Sequence, residues 1–488
     1  MEETPFIEKD SSLLRKAAFF PLVVDLDGTL AKTDLLIESL FSLIKRNPFY
    51  VLVLPFWLLK GRAFFKRQIN QRVTLDVNSL PYDREFLDYL KGERSRGRPL
   101  FLATGNDERI ARQVAEHLGL FDRVLASDGV VNLSSRTKRD RLVAEFGEKG
   151  FDYAGNEKRD LEVWPSARKA LIVNSTKSIL RRAGRVADVE KVFHRRDGAL
   201  KSYLTALRLQ QWPKNLLVFV PLVMAHRYNE FALIGNAVLA FCAFGLCASS
   251  VYIINDLTDL SADRHHPRKR LRPFAAGELS LLWGLGSAPL LLGGSMLLAW
   301  FLPLPFLGML ILYFLLNLGY SFTIKRVMLL DVITLAGLYA MRIMAGSASV
   351  AIWPSAWLLA FSTFLFLSLA LLKRYAELVM THRMSGSNIQ VRGYQVIDKD
   401  LLVSLGTGSG YVAVLVLAMY ISSGTAEILY ARHELIWFLC PLLLYWISYV
   451  WLIAHRGDMV DDPLVFVFRN QVSRIVILLG AFIVLLAR

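Results

Sequence analysis

Residues 279–324 form 46 consecutive positions without a charged side chain. In hydrocarbon every backbone polar group must be satisfied inside its own segment or in a closed barrel, so a run of this kind folds as membrane-spanning helix. One span needs about 20 residues, which divides the run at Pro303 and Pro305. Further uncharged stretches occupy 231–254, 343–372, 401–426 and 435–453, and the segment around Asp331 joins the front of the 343–372 stretch until Pro354. Shorter runs at Leu216–Ala225 and Ile475–Ala487 bring the expected number of spans to nine. A chain that is 54% hydrophobic and 20% charged, with mean hydropathy +0.38, is neither disordered nor purely soluble.

Basic residues number 57 against 42 acidic ones, a formal charge of +15. That excess suits nucleic acid, anionic lipid or a phosphorylated substrate. The loops Arg264–Arg272, Lys325–Arg326, Lys373–Lys399 and Arg456–Arg474 hold most of it, while the opposite loops hold little beyond Arg227 and Arg432. This asymmetry places the N-terminus in the cytoplasm of a bacterial inner membrane and, with an odd number of spans, the C-terminus outside. The acidic stretch Met1–Asp10 does not have the form of a signal peptide. Cys242, Cys247 and Cys440 all lie in apolar segments, so neither a disulfide framework nor a thiolate metal site is expected.

The first 200 residues have a different character. Phe19–Val24 is an apolar run ending in Asp25, and Pro99–Ala103 is another ending in Thr104. Both read as buried parallel strands of an α/β domain, whose C-terminal ends carry the ligand site. Between them Asn47–Lys60, apolar, interrupted by Pro55 and followed by Arg62, Lys66 and Arg67, reads as a cap helix, either interfacial to lipid or buried. The expected division is 1–200 and 201–488, with the boundary in the basic stretch Lys191–Lys201.

Asp25-Leu26-Asp27-Gly28-Thr29 puts two carboxylates two residues apart directly after the first strand. One can attack phosphorus while the other moves a proton, and both can approach one Mg²⁺. The string resembles the haloacid dehalogenase-like phosphatases. That resemblance implies a Rossmann-like domain with a helical cap, Asp25 as nucleophile and Asp27 as acid/base. Thr104 and Lys138 then hold the phosphoryl group, and Asn156 and Asp160 in Gly155-Asn156-Glu157-Lys158-Arg159-Asp160 support Mg²⁺. Asn156 stands where a carboxylate is usual; an amide oxygen can bind Mg²⁺ but brings no charge.

The second constellation is Asn255-Asp256-Leu257-Thr258-Asp259-Leu260-Ser261-Ala262-Asp263, followed by Arg264-His265-His266-Pro267-Arg268-Lys269-Arg270-Leu271-Arg272. On a continuing helix Asp256, Asp259 and Asp263 share one face, and three aligned carboxylates call for cations, here Mg²⁺ bridging to a diphosphate. This NDxxDxxxD string resembles the first aspartate-rich motif of the UbiA-type intramembrane prenyltransferases. The second acidic motif typical of that superfamily is missing. In its place stand Lys373-Arg374-Tyr375-Ala376-Glu377, His382-Arg383 and Arg392-Gly393-Tyr394, with Asp398 and Asp400 only two apart.

Further stretches resemble one branch, the decaprenyl-phosphate phosphoribosyltransferases: Gln211-Trp212-Pro213-Lys214-Asn215, the run from His266 to Gly277, Tyr320-Ser321 with Lys325, Asp331, Lys373-Arg374 with Glu377, and Asp461-Asp462-Pro463. The resemblance implies transfer of phosphoribose from phosphoribosyl diphosphate to a polyprenyl phosphate in the bilayer, with Mg²⁺ as cofactor, no nucleic acid partner, and room for a homo-oligomer. Tyr320, Lys325, Arg268, Lys269 and Arg272 are then candidates for the donor's phosphates. Lys214, Lys373 and Arg374 are candidates for either substrate, and Asn255 stands beside the donor. Arg342 lies on the same helical face as Asp331 and points inward. Two other readings stay open: an isoprenyl-diphosphate transferase with a non-catalytic N-terminal domain, and a membrane-anchored phosphatase.

Overall fold

The computed structural model describes residues 20–194, 198–385, 393–459 and 462–488. Met1–Asp10, Arg392 and Asp461 lie outside the described residues. The chain forms two compact units, one of Met1–Ala206 with Ile253–Gly286, the other of Leu207–Tyr252 with Ser287–Arg488. The stretch that carries the aspartate motif therefore packs with the N-terminal unit, a partition that differs from a division at residue 200.

The N-terminal unit is built on six parallel strands, β1 (Leu22–Val24), β2 (Leu100–Asp107), β3 (Arg123–Ser127), β4 (Asp152–Gly155), β5 (Ala170–Val173) and β6 (Val189–Phe193), in the order β3-β2-β1-β4-β5-β6. Leu22, Val24 and Leu102 face one buried cluster, while Val23, Ala103 and Tyr153 face the other. Both faces are covered, which is why these strands read as continuous apolar runs rather than alternating ones. The order reverses between β1 and β4, the place where open α/β sheets hold ligands. The pairing of β2 with β3 shifts between Ala103 and Asp107, so Thr104, Gly105 and Asn106 leave the regular ladder at the strand end.

Three helices follow β1: α1 (Leu35–Arg46), α2 (Tyr50–Leu59) and α3 (Arg62–Asn70). Asp34 caps α1 by accepting from the Ile37 N–H at 3.0 Å, Glu38 sits in the first turn, and Lys45 and Arg46 end the helix, all complementary to its dipole. No residue of α2 is buried; Leu52, Phe56 and Leu59 are 69%, 66% and 85% exposed. Of the two cap readings, the buried one is thereby removed.

In the other unit and at its borders, seven helices among the described residues are long and apolar enough to cross a membrane: Phe231–Thr258, Leu281–Trp300, Leu304–Phe322, Leu330–Val350, Ala356–Arg383, Val396–Ile421 and His433–His455. Pro463–Arg469 with Gln471–Ala487, bent by 81°, makes an eighth if it counts as one span. The expected first span at Leu216–Ala225 is instead the end of a 3₁₀ stretch, Leu209–Phe219, and a five-residue helix, Val220–Met224, too short to cross. Lys373, Arg374 and Glu377 do not lie in a loop. Their helix runs from Ala356 to Ser385, 30 residues or about 45 Å, longer than the hydrocarbon it crosses.

Candidate functional site

At the C-terminal end of β1 the backbone turns through Gly28, whose φ of +73° is a left-handed conformation and whose missing side chain leaves room for Asn156. Asp25 and Asp27 lead into that turn. Asp25 Oδ1 accepts from Lys138 Nζ at 2.6 Å, both groups being buried. Asp27 Oδ2 accepts from Asn106 Nδ2 at 2.7 Å and its Oδ1 from the Leu35 N–H at 3.0 Å. Thr104 is fully buried, and its Oγ1 accepts from the Asn106 N–H at 3.1 Å. Lys138 also donates to Tyr153 Oη at 3.1 Å, which in turn donates to Asp160 Oδ1 at 2.8 Å. Asp160 Oδ2 accepts the N–H groups of Asn156 and Glu157 at 2.8 and 2.9 Å, so this carboxylate orders its own loop.

Burial dominates the proton affinities here. It pushes the Asp25 carboxyl up to about 6 against the attraction of Lys138, and the Asp27 carboxyl up to about 8, with Asp34 and Asp25 adding repulsion. Asn106 and Lys66 are residues that sequence reasoning passed over. Asn106 stands two positions after Thr104 in the quoted Leu-Ala-Thr-Gly-Asn string. Lys66, counted there only as a basic flank of the cap helix, donates to the Gly105 carbonyl and to Asn132 Oδ1 at 2.9 Å, and burial lowers its pKa.

Asn156 Oδ1 is buried and has no hydrogen-bond partner among the described residues. An unsatisfied amide oxygen costs free energy unless a donor or cation meets it. The Asn156 side chain packs against Gly28, the residue after Asp27, and an amide oxygen together with the Asp25 and Asp27 carboxylates is a donor set of the kind that Mg²⁺ takes.

The aspartate motif is arranged otherwise than its spacing predicts. The helix Phe231–Thr258 ends as Thr258 turns its hydroxyl back to the carbonyls of Ile254 and Asn255 at 3.0 and 3.1 Å, and Asp259 (φ −103°, ψ 13°) leaves the helical conformation before Leu260–His265 begins. The backbone bonds from Asp259 N–H to the Asn255 carbonyl at 2.9 Å and from Asp263 N–H to the Asp259 carbonyl at 2.8 Å persist, but the three carboxylates are divided between two cations. Asp256 and Asp263, both buried, accept from one Arg272 nitrogen at 3.1 and 2.6 Å, while Asp259 accepts from Lys45 Nζ of α1 at 2.7 Å. Asn255 Oδ1 is buried without a hydrogen-bond partner among the described residues. Arg268 is exposed and Lys269 half-buried in the turn that follows. Among the described residues no three His, Cys, Asp or Glu side chains are placed to hold a metal ion. With its carboxylates ion-paired, this motif does not fit a metal as it stands.

In the helical unit the polar groups gather at two buried points. Asp462 accepts from Lys373 Nζ at 2.7 Å, pairs with Lys214 Nζ at 2.9 Å, and lies 3.4 Å from Tyr339 Oη. Burial raises the pKa of the Asp462 carboxyl, but Lys214 and Lys373 outweigh it and hold the group well below the usual range. Lys214 and Arg342 both approach the Tyr339 ring at 5.7 Å, and Arg342 donates to Asn215 Oδ1 at 3.0 Å and Tyr313 Oη at 2.8 Å. At the second point Arg374, fully buried, pairs with Asp331 and with Glu377 at 2.5 Å and donates to Tyr320 Oη at 2.7 Å. Tyr394 closes the group by donating to Asp331 Oδ1 at 2.6 Å. Lys325 is half-buried in the 3₁₀ turn Ile324–Arg326.

The profile of the UbiA prenyltransferase family matches residues 216–472, and that of the haloacid dehalogenase-like hydrolases matches residues 22–145. The chain belongs to the UbiA prenyltransferase family. It carries an N-terminal haloacid dehalogenase-like domain, and the helices make it a multi-pass membrane protein. An uncharacterized protein of Sinorhizobium fredii is 36% identical over 459 residues, covering 93% of this chain and 88% of that one. The decaprenyl-phosphate phosphoribosyltransferase of Mycolicibacterium smegmatis is 36% identical over 191 residues, 38% of this chain and 60% of that enzyme. A UbiA homolog from Archaeoglobus fulgidus, solved with DMAPP and Mg²⁺, aligns with a TM-score of 0.45 at 18% identity, over 58% of this chain and 99% of that one.

Proposed function

We propose that the helical domain, 201–488, transfers 5-phosphoribose from phosphoribosyl diphosphate to a polyprenyl phosphate such as decaprenyl phosphate. The domain 1–200 then removes the 5-phosphate, giving polyprenyl-phosphoribose, a precursor of lipid-linked arabinose. The observation that carries this reading is the buried group around Tyr339, where Lys214, Lys373 and Arg342 stand against the single carboxylate of Asp462. An excess of buried cations among apolar helices suits an acceptor that is itself a phosphate. The identity to the Mycolicibacterium smegmatis enzyme supports the same choice over an isoprenyl donor.

A phosphate monoester is anionic near neutral pH, so its oxygen can form the bond to C1 of the ribose without a general base. The C1–O bond to the diphosphate breaks through an oxocarbenium-like state. Arg268, Lys269 and Arg272, in the turn behind the aspartates, are the cations for the departing diphosphate. In the N-terminal domain Asp25, held by Lys138, attacks the 5-phosphorus while Asp27, held in place by Asn106 and the Leu35 N–H, gives a proton to the leaving ribose oxygen; Asp27 then takes a proton from the water that cleaves the Asp25–phosphate bond and releases inorganic phosphate. Asp25, Asp27 and Asn156 would hold Mg²⁺, which would supply positive charge to the phosphoryl oxygens there. The chain works in the bacterial inner membrane with this domain on the cytoplasmic side.

The test is to give the purified full chain labelled phosphoribosyl diphosphate with polyprenyl phosphate, and labelled isoprenyl diphosphate with aromatic or lipid acceptors. Label should enter lipid only from the first donor; incorporation only from the second overturns the reading. In the same assay Asp25→Asn should accumulate phosphorylated lipid-linked ribose, and a product profile identical to the parent's refutes the phosphatase step.

A further inference from the structure

The aspartate motif and the haloacid dehalogenase-like domain meet along one face of α1, within a single compact unit. Glu38 and Lys45 are seven residues apart, two turns of helix, so both side chains leave α1 on the same side. Glu38 takes Arg264 in a two-pronged pair, Oε2 accepting at 2.8 Å and Oε1 at 2.5 Å, with both side chains 5% exposed. Arg264 spends its remaining Nε–H on the Ala275 carbonyl at 3.0 Å. Two turns on, Lys45 reaches Asp259 at 2.7 Å, the two side chains 28% and 23% exposed. Gly277 closes against Lys32 so tightly that a Cβ there would lie 2.8 Å from the Lys32 carbonyl oxygen. The backbone approach, the buried pair and the half-buried pair fix which ammonium Asp259 meets.

We infer that Lys45, a residue of the phosphatase-like domain, is a positioning residue of the transferase motif: it occupies the Asp259 carboxylate and must be displaced before a divalent cation can use that carboxylate. The inference rests on the reading of the motif as the diphosphate site. Two positively charged groups cannot occupy one carboxylate oxygen in a half-buried position without strong repulsion, so cation binding and the Lys45–Asp259 pair compete. Arg272 stands in the same relation to Asp256 and Asp263, but it comes from the motif's own turn. Lys45 comes from 214 positions away in sequence. Its role is one that the transferase sequence alone cannot contain.

The experiment uses the full chain carrying Asp25→Asn and Asp27→Asn, which removes the other divalent site, and measures free Mn²⁺ by its electron paramagnetic resonance during titration. Lys45→Met should bind Mn²⁺ about fivefold more tightly, the factor that goes with loss of a part-exposed ion pair. Lys45→Arg, which keeps the competing charge, should bind as the parent does, and Asp259→Asn should lose the gain when combined with Lys45→Met. A merely structural lysine could weaken binding by loosening the fold but could not tighten it. Unchanged or weaker binding in Lys45→Met overturns the inference, as does a gain that survives Asp259→Asn. The labelled-donor assay is independent of this titration, so failure of phosphoribosyl transfer is distinguishable from failure of the Lys45 competition.

Discussion

Asp462 is the single carboxylate between buried Lys214 and half-buried Lys373, and replacing it with asparagine isolates that relation. Asn keeps the size of the side chain and can still cap the helix Pro463–Arg469, where Asp462 accepts from the Leu464 N–H at 3.2 Å. What is lost is charge. Lys214, with a side chain 7% exposed, and Lys373, 25% exposed, then face each other across a neutral amide. Removing one partner of a buried pair costs about 3–5 kcal/mol because the other charge stays buried. Lys373 can move its ammonium toward water, which favours the lower end, about 3 kcal/mol. In a unit of this size each kcal/mol shifts the melting temperature by about 2–4 °C, so Asp462→Asn should melt roughly 6–12 °C below the parent. The assay is thermal unfolding of the purified full chain in micelles, with and without inorganic phosphate. Phosphate should restore more stability to the variant than to the parent, since the lysine pair is then open to an anion. Combining Lys214→Met with Asp462→Asn should recover part of the loss by removing one orphaned ammonium. A variant that melts with the parent, or a double variant worse than the sum of the singles, refutes the reasoning.

Arg374→Ala should destabilise more than Lys373→Ala in the same melting assay, because it leaves Asp331 fully buried and without its guanidinium; equal losses would contradict the structural role of Arg374. The pH dependence of the phosphatase-type site has a definite sign. Asp25 and Asp27 hold protons up to about 6 and about 8, far above an unfolded carboxyl, so the metal-free fold binds more protons than the unfolded chain and loses stability as pH rises from 6 to 8. Melting temperatures in chelator should fall over that interval and fall less in Asp27→Asn. Mn²⁺ affinity should rise over the same interval because protons compete for the same oxygens, and a flat affinity profile would contradict those shifts. For α2, a fluorophore on Leu59→Cys should be quenched by spin-labelled lipids in vesicles holding the full chain, as an exposed apolar helix with basic flanks requires; emission insensitive to those lipids would refute the interfacial reading.

The parts of the molecule legible in sequence were those set by local chemistry. Apolar runs that stop at Asp25 and at Thr104 mark strands covered on both faces, and a run of 46 uncharged residues broken by two prolines marks two helices. The parts that were not legible depend on partners far apart in the chain. Nothing near Asp259 announces Lys45, and nothing near Lys214 announces Asp462. The spacing of Asp256, Asp259 and Asp263 also assumed an unbroken helix, whereas Asp259, at φ −103° and ψ 13°, leaves the helical conformation between Phe231–Thr258 and Leu260–His265. Lys66 illustrates the same limit. Beside Arg62 and Arg67 it reads as a headgroup-facing charge, yet the fold of α3 carries it to Gly105 at the end of β2.

The repeated pairing of acid with base bears on how ligands enter. Several of the charges proposed to bind a phosphate or a cation already have an opposite charge from within the chain: Lys138 with Asp25, Arg272 with Asp256 and Asp263, Lys45 with Asp259, Lys214 and Lys373 with Asp462. Leaving such groups buried and unmatched would cost several kcal/mol apiece. Binding is then an exchange in which an incoming ion replaces an internal one, and the net gain is the difference between two strong interactions rather than one of them. A ligand that carries only one sign of charge must leave the displaced partner unpaired. The ligand best suited to the aspartate turn is therefore one that brings a cation for the carboxylates and an anion for Arg272 and Lys45 together, and a divalent ion complexed to diphosphate has that composition. In the full chain carrying Asp25→Asn and Asp27→Asn, diphosphate alone and a divalent ion alone should each bind weakly, and the two together more tightly than the product of their separate affinities; simple additivity in an equilibrium titration would refute the exchange.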